Sequence, residues 1–580
     1  MRQPIIKFEN YSFQYRAQKE PSLIDINLSI YPGEKVLIAG PSGSGKSTLA
    51  SCINGLIPFN HTGTVTGLCM VGGKATAEQD VFELSKIVGT VLQDTDGQFV
   101  GLTTGEDIAF SLENNCVSKD EMHRRVRVAA AMTGIGDAFL DASPFDLSGG
   151  QKQRVSMAGI LVDEVQILLF DEPLASLDPA TGKQAIAMID QIKHDTNTTV
   201  IIIEHRLEDV LYRAVDRIIV MQDGRIIADT PTDQLLSGGL LRDTGLREPL
   251  YVSALKYAGV EITPEHHPQH MDSLILREAD KEALRKWYSD APPPVPVDER
   301  KEILRVKDIG FTYATRDIPA LSGVDFALTQ GEMTAIVGTN GAGKSTLAKL
   351  ICGFETPSHG QIMLHGADIT QESIAKRAEH IGYVLQNPNQ MICKPLIFEE
   401  VALGLVNRGV PEPEIQERVE ATLEICGLHP FRKWPVSALS YGQKKRVTIA
   451  SVLVLEPEII ILDEPTAGQD YRHYTDIMEF LRVLQERGVT VLLITHDMHL
   501  MLEYAPRALV FSQGQLLADL PSATLLCDPE LSAKASLKET SLFHLAAECA
   551  IADAPAFTRR FVAYEKSQKE GAGAPDPEEA

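Results

Sequence analysis

Two short stretches, GPSGSGKST and GTNGAGKST, each follow an apolar run and open a helix-forming one. Their spacing, GxxxxGK[ST], is that of a phosphate-binding loop. Glycines let backbone N–H groups converge on phosphate oxygens, and the helix N-terminus adds positive potential. The first loop comprises Gly40, Pro41, Ser42, Gly43, Ser44, Gly45, Lys46, Ser47 and Thr48. The second comprises Gly338, Thr339, Asn340, Gly341, Ala342, Gly343, Lys344, Ser345 and Thr346. In this chemistry Lys46 and Lys344 reach the β/γ-phosphates, while Ser47 and Ser345 hold Mg²⁺. The apolar runs LLFDEP and IILDEP each end in two carboxylates. Asp171 and Asp463 are placed for the magnesium shell. Glu172 and Glu464, one residue on, are placed to polarise an attacking water as general base. The plainer reading, that DEP merely ends a strand in a turn, is disfavoured by the phosphate loop in the same stretch of chain.

These motifs occur twice. Gly40 and Gly338 are 298 residues apart, Gln93 and Gln386 293, and LSGGQKQR (from Leu147) and LSYGQKKR (from Leu439) 292. Asp171 and Asp463 are also 292 apart, and His205 and His496 are 291 apart. Five landmarks in one order mean a duplicated domain.

Positioning them requires a strand before each loop and a helix after it, as VLIAG-PSGSGKS-TLASCI and TAIVG-TNGAGKS-TLAKLI provide. Strands and helices alternate beyond, which predicts an α/β fold with a largely parallel sheet. Stretches such as SKDEMHRRVRVAAAMTGI and PEPEIQERVEATLEICGL predict helical middles. Each copy opens on an aromatic, strand-like stretch, FENYSFQY ending at Tyr15 and KDIGFTY ending at Tyr313. These tyrosines are either core aromatics or platforms for adenine. The reading divides the chain into residues 1–240, a C-terminal segment and linker at 241–301, residues 302–525, and a final segment at 526–580. DAPPPVPVDERK (Asp290 to Lys301) predicts a stiff, extended linker, and GAGAPDPEEA a disordered tail.

The net charge of −25 argues against a surface for nucleic acid or anionic lipid, which needs clustered Lys and Arg. Eight scattered cysteines without CxxC read as reduced, mostly buried thiols. No apolar run approaches the ~18 residues of a membrane span. MRQPIIKFENYSF lacks the layout of a signal peptide, so a cytoplasmic chain is expected. HHPQH (His266, His267, His270) is read as an exposed polar segment rather than a metal site.

Phosphate loop, Gln, LSGGQ, strand-DE and His, in that order, resemble the ATP-binding-cassette (ABC) ATPases over most of residues 4–235 and 302–525. The resemblance implies two tandem domains, each with a RecA-like core, an N-terminal antiparallel β part and a helical signature insert. It implies ATP with Mg²⁺. Gln93 and Gln386 would sense the γ-phosphate and its metal, and His205 and His496 would contact the γ-phosphate. The signature residues are Ser148, Gly149, Gly150 and Gln151 in one copy and Ser440, Tyr441, Gly442 and Gln443 in the other. In that family each signature closes over nucleotide held by the other domain. Lys46, Asp171 and Glu172 would then face Ser440, and Lys344, Asp463 and Glu464 would face Ser148, in an intramolecular pseudo-dimer. Tyr441 stands where the first glycine would be. Ser440 and Gly442, the implied phosphate contacts, are retained, and the cost is small if the backbone there needs no positive φ.

Further stretches resemble the ATPases of energy-coupling-factor (ECF) transporters. They are GLREPLYVSALKYAG, QDTDGQFVGLTTGEDIAF and QNPNQMICKPLIFEEVALGL, with Gln98 and Gln390 at matching places. LSYGQKKR is itself a common form in that family, and INGLIPFNHTGTVTG resembles its fused members. The resemblance implies a peripheral ATPase on the cytoplasmic face of the membrane. It would drive uptake of a vitamin, a vitamin precursor or a metal ion through a coupling subunit and a small substrate-binding subunit. The inserts, about 94–146 and 387–438, would dock them. Two alternatives are a fused ATPase of a sugar importer, whose second half is often degenerate, and a cassette protein acting on ribosomes, where a long basic linker is expected. No residue of this chain names the cargo.

Overall fold

A computed structural model describes residues 2–16, 18–92, 96–174, 177–290, 300–314, 318–466 and 471–571. The proline-rich stretch 291–299, the tail 572–580 and Gln93 lie outside the described residues. The chain forms two compact units, Met1–Leu284 with Asp470–Arg472, and Arg285–Gln469 with His473–Ala580.

Among the described residues the first unit contains ten strands. They are β1 (Ile6–Tyr15), β2 (Leu23–Ile30), β3 (Lys35–Ala39), β4 (Gly63–Val71), β5 (Lys74–Ala75), β6 (Val88–Val91), β7 (Ile167–Asp171), β8 (Thr199–Ile203), β9 (Arg217–Gln222) and β10 (Arg225–Thr230). A four-stranded antiparallel sheet runs β2-β1-β4-β5, and a six-stranded sheet runs β10-β9-β3-β8-β7-β6. The larger sheet is parallel except for its β9–β10 hairpin. Its inner strands KVLIA and TVIII are buried at every position, which is why they read as continuous rather than alternating apolar runs. β1 alternates, burying Ile6, Phe8, Tyr11 and Phe13; a register shift between Phe8 and Tyr11, with Asn10 at φ 46, switches its phase.

The second unit repeats this with β11 (Glu302–Phe311), β12 (Leu321–Thr329), β13 (Met333–Gly338), β14 (His359–Leu364), β15 (Ala367–Asp368), β16 (Ile381–Val384), β17 (Ile459–Asp463), β18 (Thr490–Ile494), β19 (Arg507–Ser512) and β20 (Gln515–Pro521). Its sheets run β12-β11-β14-β15 and β16-β17-β18-β13-β19-β20. The fold class expected from the sequence, with its antiparallel part, is the one observed. One boundary differs: β11 ends at Phe311, two residues before Tyr313.

Between β6 and β7 lie the helices Thr104–Asn114, Lys119–Met132 and Gly149–Leu161; between β16 and β17 lie Ile397–Asn407, Glu412–Ile425 and Tyr441–Leu453. Each trio has its own small core: Ile108, Leu112, Val126 and Val155 in one unit, Ile397, Val401, Val419 and Val447 in the other. Among the described residues no helix is long and apolar enough to cross a membrane.

GLREPLYVSALKYAG folds into a buried turn and the helix Leu250–Tyr257. Glu248 is 4 % exposed and bridges Arg242 (2.9 Å) and Lys256 (2.5 Å). The exposed reading of HHPQH fails at His266, which is buried. Its Nδ1 lies 3.0 Å from Thr263 Oγ1 and its Nε2 3.4 Å from Asp280 Oδ2. The ring closes the loop that leads to the helix Glu278–Ser289, whereas His267 is exposed and faces Asp233 at 3.2 Å. All eight cysteines are free, and Cys52, Cys69, Cys352, Cys426 and Cys549 are buried.

Candidate nucleotide-binding sites

Adjacent parallel strands bring the chemical residues of each unit to one edge. β8 pairs with both β3 and β7, so Ile203 is level with Ile38 on one side and with Asp171 on the other. The loop after β3, the carboxylates ending β7 and His205 just past β8 therefore converge beyond the carboxyl ends of the strands, where ligands of open α/β sheets bind. In the second unit, β18 lies between β13 and β17 and gathers the Gly338 loop, Asp463, Glu464 and His496.

Each loop wraps its own lysine. Lys46 Nζ donates to the carbonyls of Gly40 (2.7 Å) and Pro41 (2.8 Å), and Lys344 Nζ to those of Gly338 and Thr339 (both 2.9 Å). Gly45 and Gly343 precede the helices Lys46–Ile53 and Lys344–Cys352 with φ of 97° and 96°. A Cβ on either would lie 2.6 Å from Ser22 O or 2.5 Å from Ala320 O, so glycine is required on both conformational and steric grounds. Thr48 and Thr346 share hydrogen bonds with the hydroxyls of Tyr15 (3.3 Å) and Tyr313 (3.1 Å). Those tyrosines rest edge-on against Phe13 and Phe311, partly buried at the margin of the core.

Ser47 Oγ donates to Asp171 Oδ1 at 3.5 Å, placing a hydroxyl and a carboxylate together. Two hard oxygen donors so placed fit the coordination preference of Mg²⁺. The second unit differs: Tyr383, on β16, donates its hydroxyl to Asp463 Oδ2 at 3.1 Å.

Glu172 and Glu464 have positive φ, 48° and 46°, unusual for a non-glycine residue. Their backbone N–H groups are pinned to Ile203 O (2.9 Å) and Ile494 O (3.0 Å), which holds each in a strained conformation that aims its carboxylate. His205 Nδ1 lies 3.9 Å from Glu172 Oε1, and His496 Nε2 3.5 Å from Glu464 Oε1. Burial raises both Asp171 and Glu172; at Glu172 the nearby His205 opposes this, while Glu204 and Asp171 reinforce it. Burial, with Asp463 beside it, pushes Glu464 up to about 8.

The signature residues begin helices. Ser148 Oγ accepts from Gln151 N (3.4 Å) and Gln151 Oε1 from Ser148 N (2.9 Å); Ser440 and Gln443 repeat this at 3.3 and 3.0 Å. These are capping boxes, so Gln151 and Gln443 have a structural task that the sequence reading did not assign them. Among the described residues neither serine hydrogen-bonds to the phosphate loop of its own unit. Tyr441 is the first residue of its helix and is not among the positive-φ residues, so a side chain is tolerated there.

Three residues near the sites escaped the sequence reading: Glu204, Tyr383 and Lys445. Glu204 is fully buried, and its Oε1 accepts from the N–H groups of His205 and Arg206 and lies 3.2 Å from His205 Nδ1. Each occupies a repeat position where the other unit has a different residue: Thr495, Thr90 and Gln153 respectively. Comparing the two copies position by position is the signal that would have found them.

A strand–loop–helix lysine and an adjacent glutamate with its histidine recur in both units, joined in the first by a serine–aspartate pair, and together have the make-up of a nucleoside-triphosphatase site. The family model described as "ABC transporter" matches residues 23–175 and 321–467, and one described as "ATP-binding cassette cobalt transporter" matches residues 238–311. An ABC transporter ATP-binding protein of Clostridium perfringens is 54% identical over 569 residues, covering 98% of this chain and 100% of its own. Another, of Enterococcus faecalis, is 55% identical over 573 residues, with 98% and 100% covered. A solved structure of cbiO1 from Clostridium perfringens, part of the ABC transporter complex cbiONQ, is 35% identical over 43% of this chain and 100% of its own, with a TM-score of 0.38. The chain belongs to the ABC transporter ATP-binding family and is an ATPase.

Proposed function

We propose that this chain is the ATP-hydrolysing subunit of an ECF-type importer, energising uptake of a vitamin, a vitamin precursor or a metal ion through separate membrane subunits. Glu172 and Glu464 act as general bases on the water that attacks the γ-phosphate, a role suited to carboxyls raised toward neutral pH. Lys46 and Lys344 bind phosphate, and His205 and His496 orient the γ-phosphate beside each glutamate. Ser47 with Asp171, Ser345 with Asp463, and the glutamines Gln93 and Gln386 would hold Mg²⁺, which neutralises phosphate charge when bound. Tyr15 and Tyr313 flank adenine. Ser148 with Gly149 and Gly150, and Ser440 with Gly442, complete the site of the opposite unit, giving two composite sites. The domain division at 240, 301 and 525 follows the same reading.

The observation that carries the transport assignment is the apolar surface of the helical inserts. Val100, Leu102, Phe110 and Phe145 are exposed in one unit, with Leu102 at 84 %, and Val406 and Trp434 in the other. Asp107, which receives the N–H groups of Val100 and Gly101, and Glu106, in the capping box with Thr103, are used up in shaping the turn. The exposed apolar side chains are the surface offered to a partner helix. The match of residues 238–311 to a cobalt-transporter model supports the same direction. The test is gentle detergent extraction of native membranes containing tagged protein. Co-purification of a multi-span coupling protein with a small hydrophobic partner is expected; recovery of ribosomes, or of no membrane protein, would overturn the assignment.

A further inference from the structure

Just past β8 a fully buried carboxylate, Glu204, stands against the ring of His205. Its N–H donates to Ile38 O at 3.2 Å, as that of Thr495 does to Ile336 O at 3.3 Å, so the two residues hold the same place in their sheets. Their side chains do different work. Glu204 Oε1 accepts from the N–H groups of His205 (3.0 Å) and Arg206 (3.3 Å) and lies 3.2 Å from His205 Nδ1. Thr495 Oγ1 accepts from Asp497 N at 3.0 Å. Among the described residues Glu204 Oε2 has no hydrogen-bond partner. A buried carboxylate left half-satisfied is costly, which calls for a task beyond packing. The charge beside it also differs between the copies. Arg206 Nε lies 3.9 Å from Glu204 Oε1 and its Nη2 donates to the Leu174 carbonyl, whereas the second unit has Asp497 at that position. The two rings are turned differently as well. His205 presents Nδ1 to Glu204 and, farther off at 3.9 Å, to Glu172 Oε1; His496 presents Nε2 to Glu464 Oε1 at 3.5 Å.

We propose that Glu204 is a positioning residue for the first site: it accepts the Nδ1 proton of His205, fixes the tautomer of the ring and leaves Nε2 as the nitrogen that meets the γ-phosphate. The inference rests on the reading that His205 serves that phosphate. A carboxylate so placed sets the tautomer of an imidazole and supports its charge when the other nitrogen is protonated. Nε2, once protonated from solvent, donates to a phosphate oxygen while Nδ1 still donates to Glu204. Thr495 has no carboxylate with which to hold His496 in this way, so the two units present their histidines differently.

Ring-nitrogen NMR signals report a histidine's tautomer directly. In full-length protein carrying ¹⁵N-labelled histidine, the signal of His205 among the 15 histidines is identified by its loss in His205→Ala. At about pH 8, where an ordinary imidazole is neutral, the parent is expected to show His205 protonated at Nδ1. In Glu204→Thr, which installs the residue of the second unit, that signal is expected to give way to the Nε2-protonated form. First-site turnover, read in a Glu464→Gln background, is expected to fall about tenfold or more in Glu204→Thr, with ATP affinity by equilibrium dialysis held within about twofold. An Nε2-protonated His205 in the parent would overturn the inference, and that measurement needs no variant to fold. An Nδ1-protonated ring that persists in Glu204→Thr, or turnover there equal to that of the background, would overturn it too. Undiminished turnover in His205→Ala, in the same background, would overturn the γ-phosphate reading itself, and the inference with it.

Discussion

At Glu464 the carboxyl is enclosed, and burial with Asp463 raises it to about 8 from an ordinary 4.5. The folded state then keeps a proton that the unfolded chain releases. Stability is held in full below 4.5, is lost as pH rises, and has been lost once pH passes about 8. Glu464→Gln removes that loss. Its urea midpoint, followed by tryptophan emission, is expected to match the parent's near pH 4.5 and exceed it at pH 8.5, where the difference in unfolding free energy is on the order of a few kcal/mol. Equal midpoints at both pH values would contradict the burial. At this scale the sequence was legible where a residue type meets a motif, as at Lys46 or Glu172. It was not legible where the role comes from three-dimensional neighbours. Nothing in HHPQH shows that His266 closes a loop against Asp280, and nothing in LSYGQKKR shows that Lys445 ends beneath Glu464.

Helix starts carry much of the site's geometry. Ser148→Ala and Ser440→Ala each remove a capping-box acceptor, and each is expected to cost about 1 kcal/mol in thermal or chemical unfolding. Unchanged stability would mean that the turn is held by other contacts. Gly343→Ala faces a stricter limit, since its Cβ would lie 2.5 Å from Ala320 O at a φ of 96°. Loss of at least tenfold in ATP affinity is expected by equilibrium dialysis, and parental affinity would show that the loop can rearrange. Strand–loop–helix order was readable from the apolar runs because the inner strands are buried on both faces. The phase switch in β1 was not, because a bulge at Asn10 hides in an aromatic run that still looks like a strand.

Across the whole molecule, duplication is the feature most visible in sequence, because both copies keep every motif in order. The differences between the copies, at Glu204, Tyr383 and Lys445, acquire meaning only when strand pairing places them beside the carboxylates. With a net charge of −25, the surface proposed for partners is the exposed apolar part of the inserts. Leu102→Asp, at a residue 84 % exposed, is expected to leave folding intact and to lower recovery of membrane partners severalfold; undiminished recovery would place docking elsewhere. The central claim, two competent sites in one chain, is tested most directly by steady-state ATP turnover of the parent, Glu172→Gln, Glu464→Gln and the double variant. Each single substitution is expected to lower turnover by about half or more, and both together by about 100-fold, the usual worth of a general base. Parental turnover in Glu464→Gln, with none in Glu172→Gln, would contradict it.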